Sequence, residues 1–360
     1  MENNLTIIDP KFKEWISALS KRYRQSQLKA AVKVNAEMLK FYWELGKDIV
    51  EMQAEDKWPN GFWNQLSAEL QSNLPNASGL SVTNLKYSKY FYNLYNNLII
   101  NSPQLVDDLL FPQEIREKIR TNIFSIPWGH HRYIMDKFKN DTSRAIFYVN
   151  KCVEEGWSRA VLLNFIDTNL YEREGKAITN FSKTLPSEIS DLANELTKDP
   201  YNFAFTGITG RYNERLLKDK LLNNITNFLL ELGSGFAFLG KEYRLEIGDT
   251  ENFIDLLFYN LNLRCYVVVE VKVDKLTFAD AGQLGGYVAA CNHILRKEGL
   301  DNPTIGLLIC KEKNNMIAKY AIEASNQPLG ISKYDLSKLY PTNIEGTIPS
   351  IEDIEKAINK

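Results

Sequence analysis

The chain has 360 residues, 44% of them hydrophobic and 24% charged, with a formal net charge of −2 at pH 7. That length exceeds one ordinary core and predicts two domains, while the near-neutral balance excludes blanket, histone-like binding of nucleic acid and leaves room for a local basic patch. The four cysteines (Cys152, Cys265, Cys291, Cys310) lack CxxC spacing, which excludes a disulfide framework or a cysteine zinc site and predicts buried free thiols in a reducing cytoplasm.

The N-terminal stretch MENNLTIIDPKFKEW lacks the charged-then-apolar pattern of a signal peptide, and no window approaches the roughly 18 uninterrupted apolar residues of a membrane span. The first half reads as helical. KFKEWISALSKRYRQSQLKAAVK gathers Lys11, Lys13, Lys21, Arg22, Arg24, Lys29 and Lys33 against one nearby acid, Glu14. It is a candidate nucleic-acid contact through Lys21, Arg22 and Arg24, or a solvated helix face. From Ala31, apolar residues recur at Val34, Met38, Tyr42, Leu45 and Ile49, the spacing of one helix face. A helix is then expected over 61–73, a turn through Pro75 and Gly79, and a second helix capped by Ser81. Asn84, Lys86, Tyr87 and Lys89 on that second element suit a helix-turn-helix reader of DNA, though bland helix pairs share the pattern.

Further helices are predicted over 103–120, 130–138, 143–155 and 158–169. His130 and His131 are adjacent and cannot share a helix face as metal ligands do, so a structural or capping role is expected. Between 175 and 200 two prolines and polar stretches break the pattern. The resulting division is a helical domain over 1–175, a linker over 176–200, a second domain over 201–340 and a tail over 341–360.

The second half changes character. Leu217, Leu221, Ile225, Phe228 and Leu232 mark one helix face, closed by Gly233. Strands are expected over 235–239, 243–247, 252–259 and 263–272, a helix over 278–296, a strand in PTIGLLIC, a helix over 314–325 and a strand in GISKYDL. Helix, antiparallel meander, helix and strand predict a mixed sheet flanked by helices.

The stretch NFIDLLFYNLNLRCYVVVEVKV places Asp255, Glu270 and Lys272 in two apolar runs. Strand alternation puts Glu270 and Lys272 on one face. A turn within 260–264 makes a hairpin that sets Asp255 opposite residue 269 or 270, so the two carboxylates meet with Lys272 beside them. Close carboxylates repel unless neutralised, and hard oxygen ligands suit Mg²⁺. The Val271 carbonyl can add one oxygen, and Lys272 can orient or deprotonate an attacking water. The alternative is a cross-strand salt bridge at a sheet end. On the following helix, Gln283 and Tyr287 lie four apart on one face, suited to placing water or phosphate, or to an ordinary amphipathic helix. Glu214 shares the stripe of Leu217 and Leu221 and can reach a metal, or simply complement a helix N-terminus.

These residues resemble the signature of the PD-(D/E)XK nuclease superfamily: an acid on one strand, Glu-x-Lys on the next, then a helix with Gln-x-x-x-Tyr. Here they are Asp255, Glu270-Val271-Lys272 and Gln283 to Tyr287. Segments such as NAEMLKFYWELGKDI, GLSVTNL, IPWGHH, KDPYNF and FLLELGSGFAFLGKEYRLEIGDTENFIDLLFYN make the chain similar to the bacterial YhcG-type family over nearly its whole length. Two departures stand out: Ile254 replaces the signature proline before Asp255, and Val271 stands where Leu is more usual. The resemblance implies an α+β protein, with an all-helical N-terminal domain followed by a PD-(D/E)XK-like α/β/α domain around a mixed central sheet. It further implies Mg²⁺ or Mn²⁺ dependence and association with restriction-type or mobile-element systems.

The expectation is a metal-dependent nuclease cutting DNA, with Asp255, Glu270, the Val271 carbonyl and Glu214 as metal ligands. Lys272, Gln283 and Tyr287 are the expected catalytic residues, and Lys21, Arg22, Arg24, Lys86 and Lys89 the expected nucleic-acid contacts. The sequence does not decide between DNA and RNA and is compatible with a homo-oligomer. The competing expectation is a nuclease-like fold that binds nucleic acid or a partner without cutting.

Overall fold

The computed structural model describes residues 10–99, 113–248 and 250–336. The chain divides into two compact units, with the division between Leu163 and Asn164.

The first unit is helical: α1 (Pro10–Glu51), α2 (Ala54–Lys57), α3 (Phe62–Asn73), α4 (Val82–Ile99), α5 (Gln113–Ile123), α6 (Trp128–Lys137), α7 (Thr142–Glu155) and α8 (Arg159–Asp167), the last crossing the division. Helix starts follow capping chemistry: Asp141 accepts from the Arg144 amide at 3.0 Å, and Ser81 accepts from the Asn84 amide at 3.4 Å. The helix expected over 103–120 is described from Gln113 on; residues 103–112 lie outside the described residues. The α1 stripe has the expected period but a shifted face. Leu39, Tyr42, Trp43 and Ile49 are buried, whereas Val34 and Met38 stay exposed, so the packed face runs through Leu39 and Trp43 rather than Val34 and Met38. There α1 lies against α4 so closely that a Cβ on Gly46 would fall 2.1 Å from the Ser88 carbonyl oxygen.

In this bundle α4 is central. Leu85, Ser88, Phe91, Tyr92, Leu94 and Tyr95 are buried, while Thr83, Lys86, Tyr90 and Asn93 form an exposed stripe. Aromatic edges fill the middle, with Trp43 against Phe91 at 5.9 Å and Phe91 against His131 at 4.8 Å.

The second unit continues with α9 (Leu170–Arg173), β1 (Ile178–Thr179), α10 (Phe181–Thr184), α11 (Ser187–Leu196), β2 (Tyr201–Asn202), α12 (Glu214–Asn223) and α13 (Ile225–Leu232). It then runs through β3 (Phe236–Ile247), β4 (Thr250–Asn260), β5 (Cys265–Lys275), α14 (Phe278–Ile294), β6 (Ile305–Glu312), α15 (Asn315–Glu323) and β7 (Leu329–Asp335). The sheet order is β1-β7-β6-β5-β4-β3, with β2 pairing β7 to the side. β3, β4 and β5 form the antiparallel meander; β5, β6 and β7 are parallel, and β1 is antiparallel to β7. This is the mixed sheet that the element order predicts. The stretch 176–200, expected as a linker, is folded: Phe181, Leu185 and Ala193 enter the sheet's core, and β1 pairs with β7. Its prolines do not interrupt the fold, since Pro186 sits at the N-cap of α11 and Pro200 just before β2.

The sheet is covered on both faces, which explains the unbroken apolar run in β5. Val267, Val269 and Val271 pack with Leu217, Leu221, Phe228 and Leu232 of α12 and α13. Val268 packs on the other side with Leu284, Val288 and Cys291 of α14. The four cysteines are buried and free, as expected. Between α14 and β6 the approach is tight: a Cβ on Gly306 would fall 2.8 Å from Val288 and 2.9 Å from Leu284.

Candidate active site

The β4–β5 hairpin turns through residues 261–264, one residue longer than the loops expected. Asn260 holds the turn by accepting from the amides of Asn262 at 3.0 Å and Leu263 at 2.9 Å. This sets the register, and the ladder ends at Leu256 paired with Val269. One step further the register brings Asp255 level with Glu270. There the Asp255 amide donates to the Glu270 Oε1 carboxylate oxygen at 3.3 Å.

A circuit of charges, its two ends joined only by that backbone amide, surrounds this point. Lys272 Nζ lies 3.5 Å from Glu270 Oε2 and 3.5 Å from Glu214 Oε1. From α12, one turn after Glu214, Lys218 Nζ lies 3.5 Å from Glu214 Oε1 and 2.7 Å from Asp255 Oδ1. Three carboxylates and two ammoniums thus alternate, and α12, β4 and β5 each contribute. α12 is started by Asn213, whose side chain accepts from the Leu216 amide at 2.9 Å, and anchored by Leu217 and Leu221 in the core.

The electrostatics are those of a site holding surplus negative charge. The Glu270 side chain is only 2% exposed. Burial, followed by the adjacent Asp255 carboxylate, pushes its pKa up to about 8, against the opposing pull of Lys272. For Lys272, burial lowers the pKa, but Glu270, Glu214 and Asp255 outweigh it and the net direction is up. Lys218 behaves likewise: burial is overcome by Asp255 and Glu214.

Sequence reading missed Lys218. Its signal was its place four residues after Glu214 on the stripe of Leu217 and Leu221, a spacing that surface ion pairs also use.

Among the described residues, no three His, Cys, Asp or Glu side chains already form a metal-holding group. A divalent cation nevertheless fits the donors present. Asp255 Oδ2 is buried and has no hydrogen-bond partner, Glu270 is hard to ionise because it is buried beside a second carboxylate, and both offer hard oxygens. Glu214, 34% exposed, reaches the two acids through the lysines. Val271 itself lies beyond the last β4–β5 pair, with its side chain in the core.

Gln283 and Tyr287 do share a face of α14, where the Gln283 amide donates to the Tyr287 hydroxyl at 3.1 Å. They line a cleft of about 710 Å³ between α14 and the β3–β4 hairpin, together with Glu246, Asn252 and His293. The five members of the charge circuit are not among its lining residues.

In the helical unit, Lys21, Arg22 and Arg24 are exposed on α1, beside exposed Tyr23. Lys86 is exposed on α4, but Lys89 pairs with Glu55 and is not the free cation expected of it. Asn84 accepts from the Trp128 indole at 3.4 Å, so it too is engaged within the bundle. Tyr87 and Tyr90 carry cations over their rings: Arg132 at 4.8 Å and Lys139 at 5.8 Å. Both histidines are structural. His130 bonds the Trp157 carbonyl at 2.9 Å, and His131 bonds the Ile123 carbonyl at 2.7 Å.

A helix-covered mixed sheet with this acid and lysine cluster at the end of its central hairpin defines a PD-(D/E)XK-type nuclease domain. Residues 194–349 match the family described as the YhcG PDDEXK nuclease domain, and residues 18–173 match the DUF1016 N-terminal domain. Each of these two matches covers somewhat under half of the chain, and together they make it similar to the YhcG-type family. It is 29% identical over 320 residues to "Putative nuclease YhcG" of Escherichia coli (strain K12), covering 84% of each chain. Among solved structures, a repair endonuclease from Pyrococcus abyssi is 18% identical at a TM-score of 0.24, covering 37% of this chain and 50% of that one. EndoMS in its apo form is 20% identical at a TM-score of 0.23, covering 38% and 49%. The chain thus spans about half the length of those two structures.

Proposed function

We propose that this protein is a divalent-cation-dependent nuclease that hydrolyses DNA phosphodiester bonds. One observation carries the reading: Asp255, Glu270 and Lys272 meet at the end of the β4–β5 ladder, with a buried Asp255 oxygen left without a partner. Asp255 and Glu270 are the ligands, with the Val271 carbonyl as a supplementary oxygen; Glu214, held by both lysines, serves them rather than the cation. Mg²⁺ or Mn²⁺ bound there supplies charge for the phosphate oxygens and acidifies the attacking water.

The rest of the chemistry belongs to the side chains. The acids around Lys272 favour its ammonium form, so its role is to donate hydrogen bonds and to offset charge developing on the phosphate, rather than to act as the base. Glu214 holds Lys272 from the α12 side and fixes where that ammonium points. Gln283 and Tyr287, bonded to each other on the cleft wall, place the strand that leads to the reacting phosphate. The helical unit contributes affinity through exposed cations: Lys21, Arg22 and Arg24 on α1, and Lys86 with the tyrosine-stacked Arg132 and Lys139 near α4.

The test is a cleavage assay on linear, circular and branched DNA, with RNA in parallel, across Mg²⁺, Mn²⁺ and chelator. Cation-dependent cutting that Lys272→Ala removes from a still-folded protein supports the reading. Salt-sensitive DNA binding without cutting under either cation defeats it, and leaves a binding module.

A further inference from the structure

The charge circuit holds one member that the reaction as read above does not use. Lys218 places its ammonium 2.7 Å from Asp255 Oδ1, while the other oxygen of that carboxylate is buried without a partner. Its side chain is 12% exposed, so the contact is screened little by solvent. It is also built rather than incidental. Lys218 follows the core residue Leu217 on a capped helix, and a second carboxylate, Glu214, stands 3.5 Å from the same ammonium.

A carboxylate that binds a divalent cation cannot keep an ammonium in contact at no cost. Inner-sphere oxygens sit about 2.1 Å from Mg²⁺, which would put the two positive centres within a few ångströms of each other in a weakly screened site. Something must give, and the flexible four-carbon stem of lysine is the part able to move. Glu214 gives the ammonium a carboxylate to keep as it leaves Asp255.

We infer that Lys218 is a resident counter-ion: its ammonium occupies Asp255 in the cation-free protein and is displaced when the divalent cation binds. The inference rests on the reading of Asp255 as a cation ligand. It makes Lys218 a positioning residue that sets how much free cation the site requires, and it places a second ammonium, after Lys272, beside the substrate phosphates once displaced. Loading then exchanges one cation for another at Asp255 instead of filling a bare pair of acids.

The test measures Mn²⁺ binding to the full-length protein without DNA, by loss of the free-ion paramagnetic resonance signal, alongside thermal melting. Lys218→Met should bind Mn²⁺ about tenfold tighter than the natural protein, the scale expected when a partly buried competitor is removed. It should melt lower without cation, with a gap that narrows at saturating Mn²⁺. Lys220→Met, the same charge change on the exposed side of α12, should leave Mn²⁺ affinity near the natural value. Lys218→Arg keeps the charge with a firmer grip on the carboxylate and should bind Mn²⁺ more weakly. Unchanged or weaker binding by Lys218→Met overturns the inference, as does equal tightening by Lys220→Met. Should Lys218→Met fail to fold, Lys218→Arg decides, and binding as tight as or tighter than the natural protein's rejects it. Asp255→Asn tests the underlying reading separately: if it binds Mn²⁺ undiminished, the cation lies elsewhere and the assignment of Asp255 falls.

Discussion

The two units bury polar groups in opposite ways. In the helical unit His131 is wholly enclosed, yet it stays neutral and satisfied: one ring nitrogen bonds the Ile123 carbonyl, and the other faces the Tyr95 hydroxyl at 3.4 Å. In the sheet unit the acids at the end of β4 and β5 are buried as a partly compensated set, with an orphaned oxygen. Orphaned neutral groups occur elsewhere in the sheet unit, at Ser190, Tyr201, Asn202 and Thr304, but here the orphan belongs to a carboxylate. Arg173 and Glu231 are also buried there, but Glu231 takes both the Arg173 guanidinium and the Asn202 amide, and Arg173 reaches Thr168 and Pro200 as well. The lesson is that burial alone does not mark a site. A network that pairs every buried charge holds the fold, and one that leaves a buried carboxylate oxygen unpaired is a candidate site.

The comparison breaks most visibly if the incomplete network proves structural. Asp255→Asn, Glu270→Gln and Lys272→Ala should each lower cation-dependent cleavage of supercoiled DNA by roughly a hundredfold or more, with melting temperatures near that of the natural protein. Variants that cut normally, or that merely unfold, would put this cluster beside Arg173 and Glu231. The reciprocal change, Glu231→Ala, should cost about 3–5 kcal/mol in denaturant unfolding, because it strands a buried guanidinium. Any loss of cleavage should then follow the folded fraction.

Next in size is the response to acid. Burial holds the His131 pKa down at about 3, against an ordinary 6.5. The unfolded chain therefore takes up a proton first as pH falls, and stability is lost from pH 6.5 downward toward 3. At pH 5 the loss should be about 2 kcal/mol, read from urea midpoints. His131→Gln should flatten that slope, whatever it does to stability at neutral pH. Smallest is the cleft wall. Gln283→Ala and Tyr287→Phe should reduce cleavage only a few-fold, chiefly through KM, because they touch each other and the cleft rather than the acids.

Much of this was legible because the period of the apolar residues is strong. β4, β5, α14 and the helix pair around Ser81 emerge within a few residues of their observed ends, while the strands expected over 235–239 and 243–247 are the single bulged strand β3, and of the two registers left open for Asp255 the structure has Glu270. What escaped did so for identifiable reasons. Lys218 looks like any lysine four residues after a glutamate until α12 is docked on Asp255. The segment 176–200 reads as a linker because its helices are short and partly polar, and the sheet that Phe181 and Leu185 complete is mostly built from residues far along the chain. Lys89 looks like a DNA contact because nothing nearby in sequence announces Glu55. Val34 and Met38 fit the α1 stripe, but the packed face is shifted by one position, to Leu39 and Trp43, which spacing alone does not fix.

The absent side chain at Gly306 works as a spacer gauge. With no methyl between β6 and α14, Leu284 and Val288 rest directly on the strand backbone, and the helix bearing Gln283 and Tyr287 can ride no lower. One added carbon, as in Gly306→Ala, would lift α14 like a shim and shift the cleft wall that Gln283 and Tyr287 form, without altering either side chain.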